Sequence, residues 1–256
     1  MKLISSFFTI PKKGSQPKEN EDFFYPHEAE IRRDHQSMAI ADGASEGFLS
    51  KLWSKILTVS YVNFDRTDLD IRQFTDFCIE VYDYQRERYI QKREENNNPL
   101  KWFEENLMIK GSFSTLLGVT FFNETPEGGH WRSISVGDSC LFQLRDSVVE
   151  SFPVSDASSF GNTPDLISSN PAYNRELEAK VRIKTGQFIF GDSFYLMTDA
   201  IANWFMTQAA EGGRPWATLE ELLETDDLKG YVNRLREENR LKNDDVTIAR
   251  VKLAED

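Results

Sequence analysis

Cysteine and histidine are scarce: Cys78 and Cys140, and His27, His35 and His130, are the only ones among 256 residues. That is too few for a disulfide framework, and their spacing suits neither a structural zinc site nor an imidazole cluster. Both cysteines read as free thiols in a reducing cytoplasm. No stretch approaches the roughly 18 uninterrupted apolar residues that spanning a membrane requires. The opening MKLISSFFTIPKK has a short apolar run with two serines and no small-residue cleavage site, so it reads as a first strand and not as a secretory signal. Positive charge is in deficit, with 30 Lys and Arg against 42 Asp and Glu, a net charge of −12. Such a chain repels phosphate backbones and anionic lipid, which argues against nucleic acid and membrane surfaces as partners. A GxSxG elbow and a phosphate-cradling GxxxxGK[ST] loop are both missing.

What is present is a chain with 39% hydrophobic residues, enough for a substantial core in one domain spanning residues 1–256. Residues 2–10, 23–25 and 36–41 read as strands, rich in Ile, Phe and small residues and bounded by Pro, Gly, Asn and Asp. Helical spacing takes over at 46–63, through Phe48, Leu49, Leu52, Trp53, Ile56 and Leu57, and again from Asp68 to about Glu95, through Ile71, Phe74, Cys78, Val81 and Tyr82. A short helix after NNNPLK precedes strands at 112–122, 130–136 and 140–144, with Gly128-Gly129 and Gly137-Asp138 as hairpin turns. Residues 152–175 are rich in Ser, Asn and Pro without sustained period, a long irregular segment of the kind that often lies over a site. Two strands ending in FYLMTDA, helices at about 200–211 and 217–240, and a last strand VTIARVKL complete the order. Strands and helices that run in groups predict an α+β fold, two antiparallel sheets covered on both outer faces by helix pairs.

Four distant segments put a carboxylate at the edge of an apolar strand. Asp42 ends SMAIAD, Asp138 follows SISVG, Asp199 ends FYLMTD, and Asp244 with Asp245 precedes VTIARVKL. Any one of these reads equally well as an ordinary turn residue. Gathered at one end of a sheet, they would repel one another and raise their own pKa values unless a positive charge sat among them. Magnesium and manganese are suited to that place, since both accept carboxylate, carbonyl and water oxygens, and a glycine beside the ligand lets a carbonyl approach closely.

The segments ENEDFF (19–24), AIADGASEG (39–47), GSFSTLLGVTF (111–121), SVGDSCLFQL (135–144), FYLMTDAIANW (194–204) and NDDVTIARV (243–251) resemble, in sequence and order, the metal-dependent PP2C-type (PPM) Ser/Thr phosphatases. The resemblance runs over nearly the whole chain and implies a four-layer αββα sandwich. Residue by residue it implies that Asp42 bridges two Mg²⁺ or Mn²⁺ ions and that Gly43 contributes a carbonyl. Asp199 and Asp244 would be further ligands, Glu21 and Asp22 would hold metal-bound water, and Asp138 would serve a third metal site found in some members. The implied reaction is hydrolysis of phosphoserine or phosphothreonine in a phosphoprotein, the target of a Ser/Thr kinase, by water activated between two cations, with no protein nucleophile. A catalytically silent PP2C-like binding module and a phosphatase of small phosphate esters are the alternative readings.

Departures from the family pattern are local. Pro17 stands where a phosphate-binding arginine is usual, and Lys18 beside it is the substitute, a point charge without bidentate geometry. Lys12, Lys13 and Lys18 read equally as decoration of a solvated turn. Ala200 follows Asp199 in place of the usual glycine, and Cys140 replaces the arginine of GDSR, where it reads as a buried strand residue. The five tryptophans read as packing residues, TDDLKG (225–230) as a helix start, His130 as a surface or packing residue, and QRERYIQKREEN as a charged helix surface.

Overall fold

A computed structural model describes residues 2–27, 30–31, 35–64, 69–125, 127–161, 163–225 and 227–254. In chain order the first elements are strands β1 (Lys2–Ile10), β2 (Phe23–Tyr25), β3 (Glu30–Ile31) and β4 (His35–Ala41), then helices α1 (Ser50–Asn63), α2 (Ile71–Glu95) and α3 (Trp102–Lys110). Next come β5 (Phe113–Ser114), β6 (Leu116–Thr125), β7 (Gly128–Val136), β8 (Cys140–Arg145), β9 (Val148–Phe152) and β10 (Ile167–Ser168). The chain continues through α4 (Leu177–Lys180), β11 (Arg182–Ile189), β12 (Ser193–Met197), α5 (Asp199–Ala210), α6 (Pro215–Thr225), α7 (Leu228–Glu237) and β13 (Val246–Ala254). One sheet has six strands in the order β3-β1-β13-β12-β8-β9; the other has five, β11-β7-β6-β4-β2; β5 and β10 form a separate ladder. Neighbouring strands in both large sheets pair antiparallel.

The two-residue period of the strands sorts the apolar side chains into layers. In β12, Phe194 and Leu196 point between the sheets, where they meet Met38, Ile40, Leu117, Val119, Phe121, Trp131, Ala249 and Val251. Their neighbours Tyr195 and Met197 point the other way, with Phe142 and Ile248, onto α5, α6 and α7 through Ile201, Phe205, Leu219, Val232 and Leu235. On the opposite outer face, Ala39, Leu116, Ile134 and Val136 receive Trp53, Leu57, Phe74, Cys78 and Tyr82 from α1 and α2. Each fully buried side chain of this size removes apolar surface worth roughly 1.5–3 kcal/mol, so three contiguous layers hold the sandwich together. The α+β sandwich with helices on both outer faces is the architecture the sequence predicts.

Boundaries differ from expectation at several points, among them that the strand expected over 112–122 is two, β5 and β6, that Gly128-Gly129 lie inside β7 and not in a turn, and that β3, β10 and α4 were not anticipated. Helix α1 begins at Ser50 and not at 46, because Leu49 takes a left-handed conformation (φ 59°, ψ 43°) and the Phe48 N–H donates to the Gly111 carbonyl at 3.2 Å, which ties residues 44–49 to a neighbouring loop. The helix expected over 217–240 is two, α6 and α7, with Asp227 as N-cap of the second, so this outer face carries three helices and not a pair. The Asp227 side chain makes no capping hydrogen bond there. Strand β9 was not anticipated; it pairs with β8, and its last residue, Phe152, falls in the segment read as irregular. Asp68, taken as the start of the second helix, and Asp226 of TDDLKG lie outside the described residues. Trp53, Trp131, Trp204 and Trp216 are buried as packing residues, whereas Trp102 is 75% exposed on α3, a helix with no buried residue. His130 stacks on Phe122 with ring centroids 4.6 Å apart. Among the described residues no helix is long and apolar enough to cross a membrane.

Candidate functional site

The carboxyl-terminal end of β4 opens into a cavity of about 410 Å³, lined by Asp42, Gly43, Ser45, Thr115, Asp138, Asp199, Lys242 and Asp244 among others. Acids from four separate segments therefore face one space. Asp42 is pinned through its backbone: its N–H donates to Thr115 Oγ1 at 2.9 Å, and its carbonyl accepts from the Thr115 N–H at 2.9 Å and from Ser114 Oγ at 2.8 Å. Its carboxylate is left to the cavity. Burial first, and then the charges of Asp22, Asp199, Asp244 and Asp138, raise the Asp42 pKa well above the ordinary carboxylate value.

Gly43 is buried where a side chain has no room: a Cβ there would lie 2.6 Å from Ser54 Oγ and 2.9 Å from the Glu21 carbonyl. Asp138 follows Gly137, whose φ of +104° forms the turn after β7. Burial, and then the charge of Asp199, push the Asp138 pKa up to about 6. Asp199 opens α5, with Oδ1 accepting the Ala200 N–H at 2.6 Å and Oδ2 accepting Lys242 Nζ at 3.0 Å. Asp244 takes the same ammonium at 2.8 Å. Desolvation pulls the Lys242 pKa down, but the hydrogen bond to Asp244 and the charge of Asp199 outweigh it and hold the group above its ordinary value.

Glu21 and Asp22 stand behind this wall. Glu21 accepts a hydrogen bond from Ser45 Oγ and has Lys12 Nζ 3.7 Å away. Burial is the main cause that raises its pKa. Asp22, 4% exposed, accepts Thr198 Oγ1 at 3.0 Å through Oδ2, while its buried Oδ1 has no hydrogen-bond partner. Burial and then the charge of Asp245 raise its pKa well above the ordinary value. It lines a second cavity of about 250 Å³ with Phe7, Asn20, His27 and Lys51. Lys18 is exposed on the single 3₁₀ turn Pro17–Glu19 and does not line the acidic cavity. Nearer to the acids is Lys12, whose Nζ donates to Ser45 Oγ at 2.7 Å.

Sequence reasoning missed the residues that hold the acids in place. The Asp245 carboxylate accepts the Lys12 N–H at 2.8 Å and the Glu21 N–H at 2.7 Å, joining the segments before β2 and β13. Arg236 on α7, 7% exposed, donates to the Asp244 carbonyl at 2.6 Å and to the Pro11 carbonyl at 3.1 Å. Only the tertiary fold brings these partners together. Lys242, by contrast, stands two residues before Asp244 in LKNDDV and was available to inspection.

The donors that face the cavity are all oxygens, and both the raised pKa values and the orphaned Asp22 oxygen are relieved by positive charge, so the residues suit a hard divalent cation. Among the described residues, no three His, Cys, Asp or Glu side chains are gathered as a ready-made cation site.

The same architecture occurs in known structures. The Mycobacterium tuberculosis serine/threonine phosphatase PstP superposes over 99% of both chains with a TM-score of 0.56 at 16% identity. The fold is that of the PP2C-type phosphatases. The PstP catalytic domain solved with two manganese ions matches this PP2C-type fold over 98% of both chains (TM-score 0.51, 15% identity). RsbX in complex with magnesium matches over 99% of this chain and 96% of its own (TM-score 0.54, 18% identity). No protein-family model and no curated protein sequence matches the chain. The two cysteines of this PP2C-type fold are buried and free; burial pushes the Cys78 thiol up to about 12 and raises the Cys140 thiol further, which keeps both in the unreactive protonated form.

Proposed function

We propose that residues 1–256 form one cytoplasmic PP2C-like phosphatase domain that hydrolyses phosphoserine and phosphothreonine monoesters in proteins phosphorylated by a Ser/Thr kinase. The observation that carries this reading is the convergence on one open cavity of Asp42, Asp138, Asp199 and Asp244, at four strand ends of a fold shared with a Mn²⁺-bound serine/threonine phosphatase and with Mg²⁺-bound RsbX. Asp42, with the Gly43 carbonyl, Asp199 and Asp244, would hold a pair of Mg²⁺ or Mn²⁺ ions. Glu21 and Asp22 would act through water, and Asp138 would serve a third ion.

When bound, such ions supply Lewis acidity toward a phosphoryl oxygen and lower the pKa of an adjacent water. The chain's own contribution is placement. Thr115 and Ser114 fix the Asp42 backbone at the edge of the cavity that its side chain lines. Asp22, kept from water, is poised to accept a proton or a hydrogen bond at its free Oδ1. Gly161, Thr163, Pro164 and Leu166 line one side of the cavity, so a substrate's flanking residues would lie against them. Lys18 remains the proposed phosphate contact from sequence, with Lys12 the basic group nearer the acids.

The test is hydrolysis of an aryl phosphate and of phosphoserine and phosphothreonine peptides with Mn²⁺ or Mg²⁺. Activity that chelation abolishes and that Asp42→Asn loses supports the enzyme. A silent binding module, favoured by the engagement of Asp199 and Asp244 with Lys242, predicts no turnover at any metal concentration. Turnover of the aryl phosphate with no peptide accepted would mean a small-ester phosphatase.

A further inference from the structure

Lys242 reaches into the acidic cavity and donates to Asp199 Oδ2 at 3.0 Å and to Asp244 Oδ2 at 2.8 Å. Its side chain is 55% exposed while the carboxylates are 13% and 30% exposed, so the ammonium enters from the solvent side and caps the pair. Both acids belong to the ligand set proposed above, and no other cation bridges them among the described residues. We propose that Lys242 is a tethered counter-cation that satisfies Asp199 and Asp244 in the metal-free protein, and that a divalent ion must displace it to load.

The inference rests on the metal-binding reading and goes beyond it, since it makes one side chain the setting of metal affinity. A lysine is suited to this exchange. Its compact charge rides on a flexible four-carbon stem, and the exposed stem can swing into water without opening the core. A divalent ion brings twice the charge and accepts both carboxylates together, so it wins the competition at a sufficient concentration. The consequence is a metal-free protein whose acids are partly neutralised and a metal affinity lower than the same acids would otherwise give.

The experiment is titration of the metal-free protein with Mn²⁺, followed by calorimetry and by the electron paramagnetic resonance signal of free Mn²⁺, on wild type, Lys242→Met and Lys242→Arg. Two partly exposed ion pairs predict that Lys242→Met binds Mn²⁺ about tenfold more tightly than wild type. Its melting temperature in chelator falls below wild type, and the gap closes or reverses at saturating Mn²⁺. Lys242→Arg, which keeps the charge, binds no more tightly than wild type. A merely structural lysine would lower stability equally with and without metal and leave the dissociation constant where it was. If Lys242→Met binds Mn²⁺ as wild type does, while Asp199→Asn abolishes binding, the counter-cation role is wrong and the metal site stands. If neither wild type nor Lys242→Met binds Mn²⁺ at millimolar concentration, the metal reading fails and takes this inference with it.

Discussion

Replacing Asp138 by asparagine should stabilise the metal-free protein, and should do so only where the native carboxyl is charged. Asp138 is 8% exposed, and burial followed by repulsion from Asp199 lifts its pKa from 3.8 to about 6. The folded state therefore binds a proton more tightly than the unfolded chain, and stability falls as pH rises through the interval between those values. At about pH 8 the carboxylate is ionised in both states and the cost is about 3 kcal/mol; at about pH 5 it is about half that, and below about pH 4 it nearly vanishes. Asparagine keeps the shape and carries no charge. For a chain of this length about 3 kcal/mol corresponds to roughly 6–12 °C in melting temperature. Thermal melts of wild type and Asp138→Asn in chelator at pH 5 and pH 8 read the difference directly. A gain that is large at pH 8 and shrinks toward pH 5 is the expected result. A gain independent of pH, or a loss at pH 8, would refute the account of Asp138 as a buried, repelled acid.

On the proposed function, Asp42→Asn should show opposite effects in two assays, because burial and neighbouring charges disfavour the ionised acid in the metal-free cavity while the proposed reaction would need it as a metal ligand. Metal-dependent turnover falls by about a hundredfold or more, while the metal-free melting temperature rises at neutral pH. Gly43→Ala forces a methyl to within 2.6 Å of Ser54 Oγ and 2.9 Å of the Glu21 carbonyl, and chemical denaturation should register a loss of about 1–3 kcal/mol. Asp245→Ala strands the part-buried N–H groups of Lys12 and Glu21, which predicts a loss of about 1–3 kcal/mol with Asp245→Asn intermediate; equal stability of all three proteins would contradict the role given to the Asp245 carboxylate.

What the sequence made legible is what local chemistry controls. The apolar runs of β4 and β12 and the acids that end them, Asp42 with Gly43 and Asp199, could be read directly because strand composition and turn chemistry agree there. The start of α1 could not, since helical spacing runs back to Phe48 while the tertiary bond from the Phe48 N–H to the Gly111 carbonyl draws the backbone away from the helix. Strand β9, with Val148 exposed and Phe152 buried, is an edge strand whose pattern is too short to stand out. At the cavity, the acids were legible because each sits at a strand boundary. Asp245 and Arg236 were not, because Asp245 bonds backbone amides 224 and 233 residues away and Arg236 joins the nearby Asp244 carbonyl to the Pro11 carbonyl 225 residues away, which leaves no local mark.

Strand β13 lies between β1 and β12, and the residue just before it clasps two backbone amides from the first stretch of the chain. A nascent polypeptide leaving the ribosome thus carries an unpaired β1 edge and an unfinished acid enclosure until synthesis has passed residue 254. Long-range pairing of this kind is slow to form and exposes sticky edges meanwhile. Translation that stalls before β13 would yield an aggregation-prone fragment for proteolytic clearance, so production of competent molecules hinges on β13, the partner of the first strand.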